Sequence, residues 1–173
     1  MDTSNFLLHL LNLVLQPLLK WTADGWEHDR KIFASLDSIL DEDQLLELIT
    51  NLQSGDCFYL SQALPIENFI RNSEKSGLSF IRNNLNRKLS KFVLKLCRFR
   101  EFVSDHFYAS RSEQQPDLMV LEPNLNLDRS IRIPSEEQQR QYKEYSGQLW
   151  MLAKDVENAY RDFRKAIKQE LLI

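Results

Sequence analysis

Two stretches of the chain carry apolar residues at strict helical spacing. Leu85, Leu89, Phe92, Leu96, Phe99, Val103 and His106 follow one another at intervals of 4, 3, 4, 3, 4 and 3, the seam of an amphipathic helix in heptad register. This predicts a helix over 84–109, about 39 Å long at 1.5 Å per residue. Tyr142, Tyr145, Leu149, Leu152, Val156, Ala159, Phe163 and Ala166 repeat the pattern, with Tyr160, Ile167 and Leu171 widening it. That second helix begins after Pro134 with Ser135 as N-cap and Gln138 three residues on, the spacing of a capping box. It runs toward the end of the chain, and its length predicts that part of its stripe faces another chain.

The rest of the pattern is less periodic. "FLLHLLNLVLQPLLKW" is apolar almost all round, so a helix from Ser4 to Trp21, bent or restarted at Pro17, belongs in the middle of a bundle. An interfacial or partner-binding helix is the alternative. A signal peptide or membrane span is not expected, because Asp2 precedes the run and His9, Asn12, Gln16 and Pro17 interrupt it. Asp24 and Gly25 predict a break, followed by a short helix in which Trp26, Ile32 or Phe33, and Leu36 share a face. Asp41 and Gln44 form a second capping box, and Gly55 is expected to end that helix. Pro65 as first helical residue and Gly77 as left-handed cap predict a helix over 65–76. Residues 111–134 contain three prolines and are expected to leave the bundle. Within them "LNLDRSIRI" suits either a two-stranded hairpin or an extended connection.

The expected architecture is therefore all-α: one domain over 1–173, a bundle of about five helices, two of them long and coiled-coil-like, with one extended or hairpin-like excursion at 111–134. The scarcity of glycine (4) and proline (5) in 173 residues fits long helices. A formal net charge of −3 gives no global attraction to nucleic acid. Cys57 and Cys97 stand in no metal-ligand spacing and are expected to be reduced, buried thiols of a cytoplasmic protein. No phosphate-cradling glycine loop, nucleophile elbow, paired-cysteine motif or calcium loop is present, and "WEHDR" lacks a second histidine at helical spacing. Neither metal nor cofactor is expected.

Local charge is more informative. Seven basic residues and no acid occur over 82–100, and Lys88, Lys91, Lys95 and Arg98 form a stripe. With Arg87 they could lie along RNA or DNA phosphates. Residues 24–47 carry eight acids, nearly the mirror charge, so the simpler expectation is that one face answers the other, within the bundle or across an interface. Tyr142, Tyr145 and Trp150 are candidate anchors for a protein partner or homodimer, with core packing as the alternative use of these aromatics.

Arg100 and His106, separated by five residues, form one further motif. This spacing resembles the signature of HEPN ribonucleases, small helical bundles in which a dimer joins two such motifs into an RNA-cleaving site. The resemblance spans seven residues and implies metal-independent cleavage, with the histidine moving a proton and the arginine stabilising phosphate charge. Glu101 stands where that family often has a small polar residue. Six helical positions set the two side chains about 120° apart. The leading expectation is a non-enzymatic interaction or assembly subunit, with nucleic-acid binding or HEPN-like cleavage as alternatives.

Overall fold

The structure, a computed structural model, describes residues 24–75, 78–110, 114–126 and 133–173. The expected helix at 4–21 with its bend at Pro17, the cap at Gly77, and the centre of the expected hairpin lie outside the described residues.

The first described helix, α1, covers 24–37, and Asp24 and Gly25 are helical instead of forming the expected break. Its inward positions are Gly25, Asp29, Ile32 and Leu36, spaced 4, 3 and 4. Trp26 is not on that face; it is exposed, with the Arg82 guanidinium 5.5 Å from its ring.

Helix α2 (Glu42–Gly55) starts with the expected capping box: the Gln44 amide donates to Asp41 Oδ1 at 2.8 Å, and the Asp41 amide to Gln44 Oε1 at 3.2 Å. Leu45, Leu48, Ile49 and Leu52 are buried. Its left-handed terminating residue is Asp56, at φ 46°, and not Gly55. Strand β1 (Cys57–Tyr59) follows at once and leads directly into α3 (Leu60–Ser73). This helix starts five residues before the expected position, placing Pro65 inside it. The early start is anchored from outside the proline: the Leu60 amide donates to Asp117 O at 2.8 Å, and Gln62 Oε1 accepts from the Tyr59 amide at 2.9 Å.

Helix α4 (Asn83–His106) buries Leu85, Leu89, Phe92, Leu96, Phe99 and Phe102. The expected seam holds through Phe99; beyond it Phe102 is the deeper residue and Val103 and His106 are half-buried. The helix ends three residues before the expected position, because Phe107–Ala109 form strand β2. Strand β3 (Leu118–Leu121) lies between β1 and β2, antiparallel to both, with Phe58 opposite Met119 and Phe107 opposite Leu121. The excursion after α4 is thus in part the central strand of a small sheet. Leu125, expected in the hairpin, lies in a turn closed by its amide donating to Glu122 O at 2.9 Å.

Helix α5 (Glu136–Leu171) is about 54 Å long. Its capping box forms as expected, with the Gln138 amide donating to Ser135 Oγ at 3.3 Å and the Ser135 amide to Gln138 Oε1 at 2.9 Å. Lys88 meets Asp162 and Lys95 meets Asp155, so α4 and α5 run antiparallel.

An aromatic cluster ties the helices together. The Phe92 ring stands 5.3 Å from Phe69, 5.2 Å from Tyr160 and 6.3 Å from Phe163, and Phe163 reaches Phe33 and Phe80. Edge-on and tilted contacts of this kind contribute beyond area burial. The Tyr160 hydroxyl is buried with no hydrogen-bond partner among the described residues, and burial pushes its pKa up. Cys57 and Cys97 are unpaired and half-buried instead of fully buried; burial pushes the Cys97 thiol up.

Candidate functional site

The chemistry-bearing residues fall into three regions. At the sheet end, Asp56 and Glu122 both hold left-handed backbone, φ 46° and 34°. Such conformations cost free energy in non-glycine residues and persist where neighbours enforce them. Here the sheet supplies the enforcement: the Leu121 amide donates to Asp56 O at 3.0 Å, and the Glu122 amide to His106 O at 2.9 Å. The side chains add to it. Asp56 accepts from the Tyr142 hydroxyl at 2.7 Å and from Ser146 Oγ at 3.1 Å to each carboxylate oxygen. Asn126 Nδ2 donates to the Tyr142 hydroxyl at 2.8 Å. Glu122 Oε1 lies 2.9 Å from His106 Nδ1.

The His106 ring is packed between Phe102 and Tyr145, with centroids 4.6 and 4.2 Å away. Arg100, one and a half turns back, places Nη1 3.7 Å from Glu67 Oε2 on α3. Arg100 and His106 therefore engage different neighbours within the chain and are not brought together. Tyr142 and Tyr145, read as candidate partner anchors, are drawn into contacts with the sheet end. The strained pair Asp56 and Glu122 was missed by sequence reasoning; "GD" after an amphipathic helix was the available signal for the first, but glycine was the expected left-handed residue.

The second region is the basic stripe. Lys88 Nζ lies 3.0 Å and Lys91 Nζ 3.9 Å from Asp162 Oδ2, and Lys95 Nζ lies 2.5 Å from Asp155 Oδ2. The Lys88 ammonium, through its hydrogen bond and charge, holds the Asp162 carboxyl below its ordinary value. Arg87 bonds Asn84 at 2.8 Å, and Arg98 is exposed. Among the described residues, the acids of 24–47 answer the basic run of 82–100 only at its first residue, Arg82. Asp37 and Glu42 pair with Arg164 of α5, and Asp29 with Arg82. Antiparallel α4 and α5 explain the exchange: seven-residue spacing on each helix sets 88 and 95 against 162 and 155.

The third region is the outer face of α5. Trp150 is 48% and Met151 60% exposed, and Lys154 Nζ lies 4.9 Å from the centre of the Trp150 ring. They stand three, four and seven residues after Gly147, so all four share one face. A Cβ added at Gly147 would meet no atom of the described residues within 4 Å.

Among the described residues no group of three or more His, Cys, Asp or Glu side chains is placed to hold a metal ion, and no helix is long and apolar enough to cross a membrane. Compared with protein-family models, with curated proteins and with solved structures, the chain finds no match.

Proposed function

We propose that the chain is a non-enzymatic assembly or adaptor subunit whose outer α5 face docks an acidic, partly apolar segment of another protein. The observation that carries this reading is Gly147. Glycine inside a helix costs about 1 kcal/mol relative to alanine, and no neighbour among the described residues requires its smallness here. A partner backbone approaching beside Trp150 and Met151 supplies the missing reason. Lys143, Lys154 and Lys165 are exposed along the same side, as is Arg161, whose guanidinium also pairs with Glu157 at 2.5 Å. A second copy packed about a two-fold axis would set these cations against each other, whereas an acidic partner answers them.

The test is a photoreactive benzoylphenylalanine at position 150, irradiated in the native cell. The expected result is one cross-linked acidic protein, lost in Gly147→Leu and absent when the probe sits at Leu94, an exposed residue of α4. Gly147→Ala is expected to stabilise the isolated chain by about 0.5–1 kcal/mol in urea denaturation. Cross-linking to nucleic acid, to a second copy, or equally from positions 150 and 94 overturns the reading.

A further inference from the structure

We infer that the junction of α2, α3 and α4 is a binding site for a short-chain aliphatic carboxylate, independent of the α5 face. Leu48, Ala63, Ile66 and Val103, with Phe58 and Phe99, line a cavity of about 40 Å³, and its rim carries Arg100 and Glu67. Since a water-sized group needs about 10–15 Å³ on this measure, the cavity has room for about three such groups, the scale of a short branched hydrocarbon tail. Its lining offers those groups apolar contact and no hydrogen bond, so the interior selects a hydrocarbon tail.

The rim selects the head group. Arg100 Nη1 and Glu67 Oε2 stand 3.7 Å apart, each side chain 41% exposed. That separation is within reach of charge attraction but beyond the 2.7–2.9 Å of a charge-assisted hydrogen bond. The guanidinium fork therefore has donors to offer a carboxylate arriving with its tail in the cavity, and planar two-point pairing is the geometry it favours. Glu67 then acts as a weak internal competitor. An amine head group would find like charge in Arg100 and a counter-ion in Glu67, so its weaker binding rests on the two-point hold that the guanidinium fork gives only to a carboxylate, and an alcohol would leave that fork without an anion.

The experiment is isothermal titration of the full chain with 3-methylbutanoate, compared with 3-methyl-1-butanol and 3-methylbutylamine at constant ionic strength. Saturable binding of the acid is expected with Kd on the order of 1 mM, in keeping with so few contact atoms. The alcohol and the amine should bind at least about tenfold more weakly. Arg100→Gln should weaken the acid about tenfold, and Glu67→Gln should tighten it about threefold by removing the competitor. Ala63→Val should occupy the cavity and remove binding while circular dichroism stays unchanged; Val103→Ile takes its place should Ala63→Val fail to fold. Equal binding of acid and alcohol, undiminished binding by the folded cavity-filling variant, or no saturation by about 50 mM, far above the expected constant, overturns the assignment.

Discussion

The carboxylate of Asp29 is fully buried and holds together the start of α4. It accepts from the Ile81 amide at 2.6 Å, from Arg82 Nη1 at 2.8 Å and from the Arg82 amide at 3.4 Å. It thus serves as a cap supplied from α1, 52 residues earlier, where the chain places no capping side chain at Arg82 itself. Removing one member of a buried ion pair costs about 3–5 kcal/mol. Arg82 keeps some solvent access and has Glu170 at 3.9 Å as a substitute, which moves the expectation to the lower end. Asp29→Ala should therefore destabilise the fold by about 3 kcal/mol, and Asp29→Asn, which retains one acceptor oxygen, by about 1.5–2 kcal/mol. For a domain of this size the alanine variant should lose roughly 6–12 °C in Tm. The double variant Asp29→Leu with Arg82→Met should recover only part of the loss, since the Ile81 and Arg82 amides still lack their acceptor. Urea denaturation followed by circular dichroism measures these differences as shifts in midpoint at constant slope. A loss below about 1 kcal/mol for Asp29→Ala, under the range for a broken buried pair, or full recovery in the double variant, would refute the capping argument.

Three other outcomes are expected. Tyr160→Phe should stabilise by about 1 kcal/mol, because it removes a buried hydroxyl that bonds none of the described residues while keeping the ring beside Phe92; a loss of similar size in thermal denaturation would contradict this. Asp56→Asn should fall within about 1 kcal/mol of the parent, since asparagine tolerates φ 46° and keeps an acceptor, whereas Asp56→Gly should cost about 1–2 kcal/mol more through loss of the carboxylate that accepts from the Tyr142 and Ser146 hydroxyls. A glycine variant as stable as the parent would show that the carboxylate contacts are dispensable. Because Lys88 lowers the Asp162 pKa, their pairing favours folding above the ordinary carboxyl value of 3.8 and is lost as pH falls through the lower folded value. Stability profiles of the parent and Asp162→Asn should therefore differ above pH 3.8 and converge in stronger acid; parallel profiles throughout would remove the linkage.

What could be read in advance was whatever depends on near neighbours along the chain. The seams of α4 and α5 follow from side-chain period alone, and the caps at Asp41 and Ser135 involve partners three residues away. The sheet escaped because its strands are three to four residues long, too short for alternation to register, and because β1 finds its partner far along the chain, with Cys57 opposite Val120. Asp29 was hidden for the same reason. In "WEHDR" it looked like one of several surface charges, and nothing local announces that its acceptors serve amides at 81 and 82. The separation of Arg100 from His106 was partly visible in their angular offset, but the neighbours that claim them, Glu67, Glu122 and Tyr145, were not. Only Trp150 among the three aromatic anchor candidates remains largely exposed.

The position of β3 also orders events during synthesis. β1 is complete by residue 59, yet β3, its strand partner among the described residues, begins at residue 118. Roughly 60 residues, including all of α4, must emerge from the ribosome before the first sheet edge can be covered. Helical pairing can begin while translation continues, but closure of the sheet is a late, long-loop event. Until then Phe58 lacks Met119 opposite it, which leaves the nascent α2–β1–α3 segment open to misassociation.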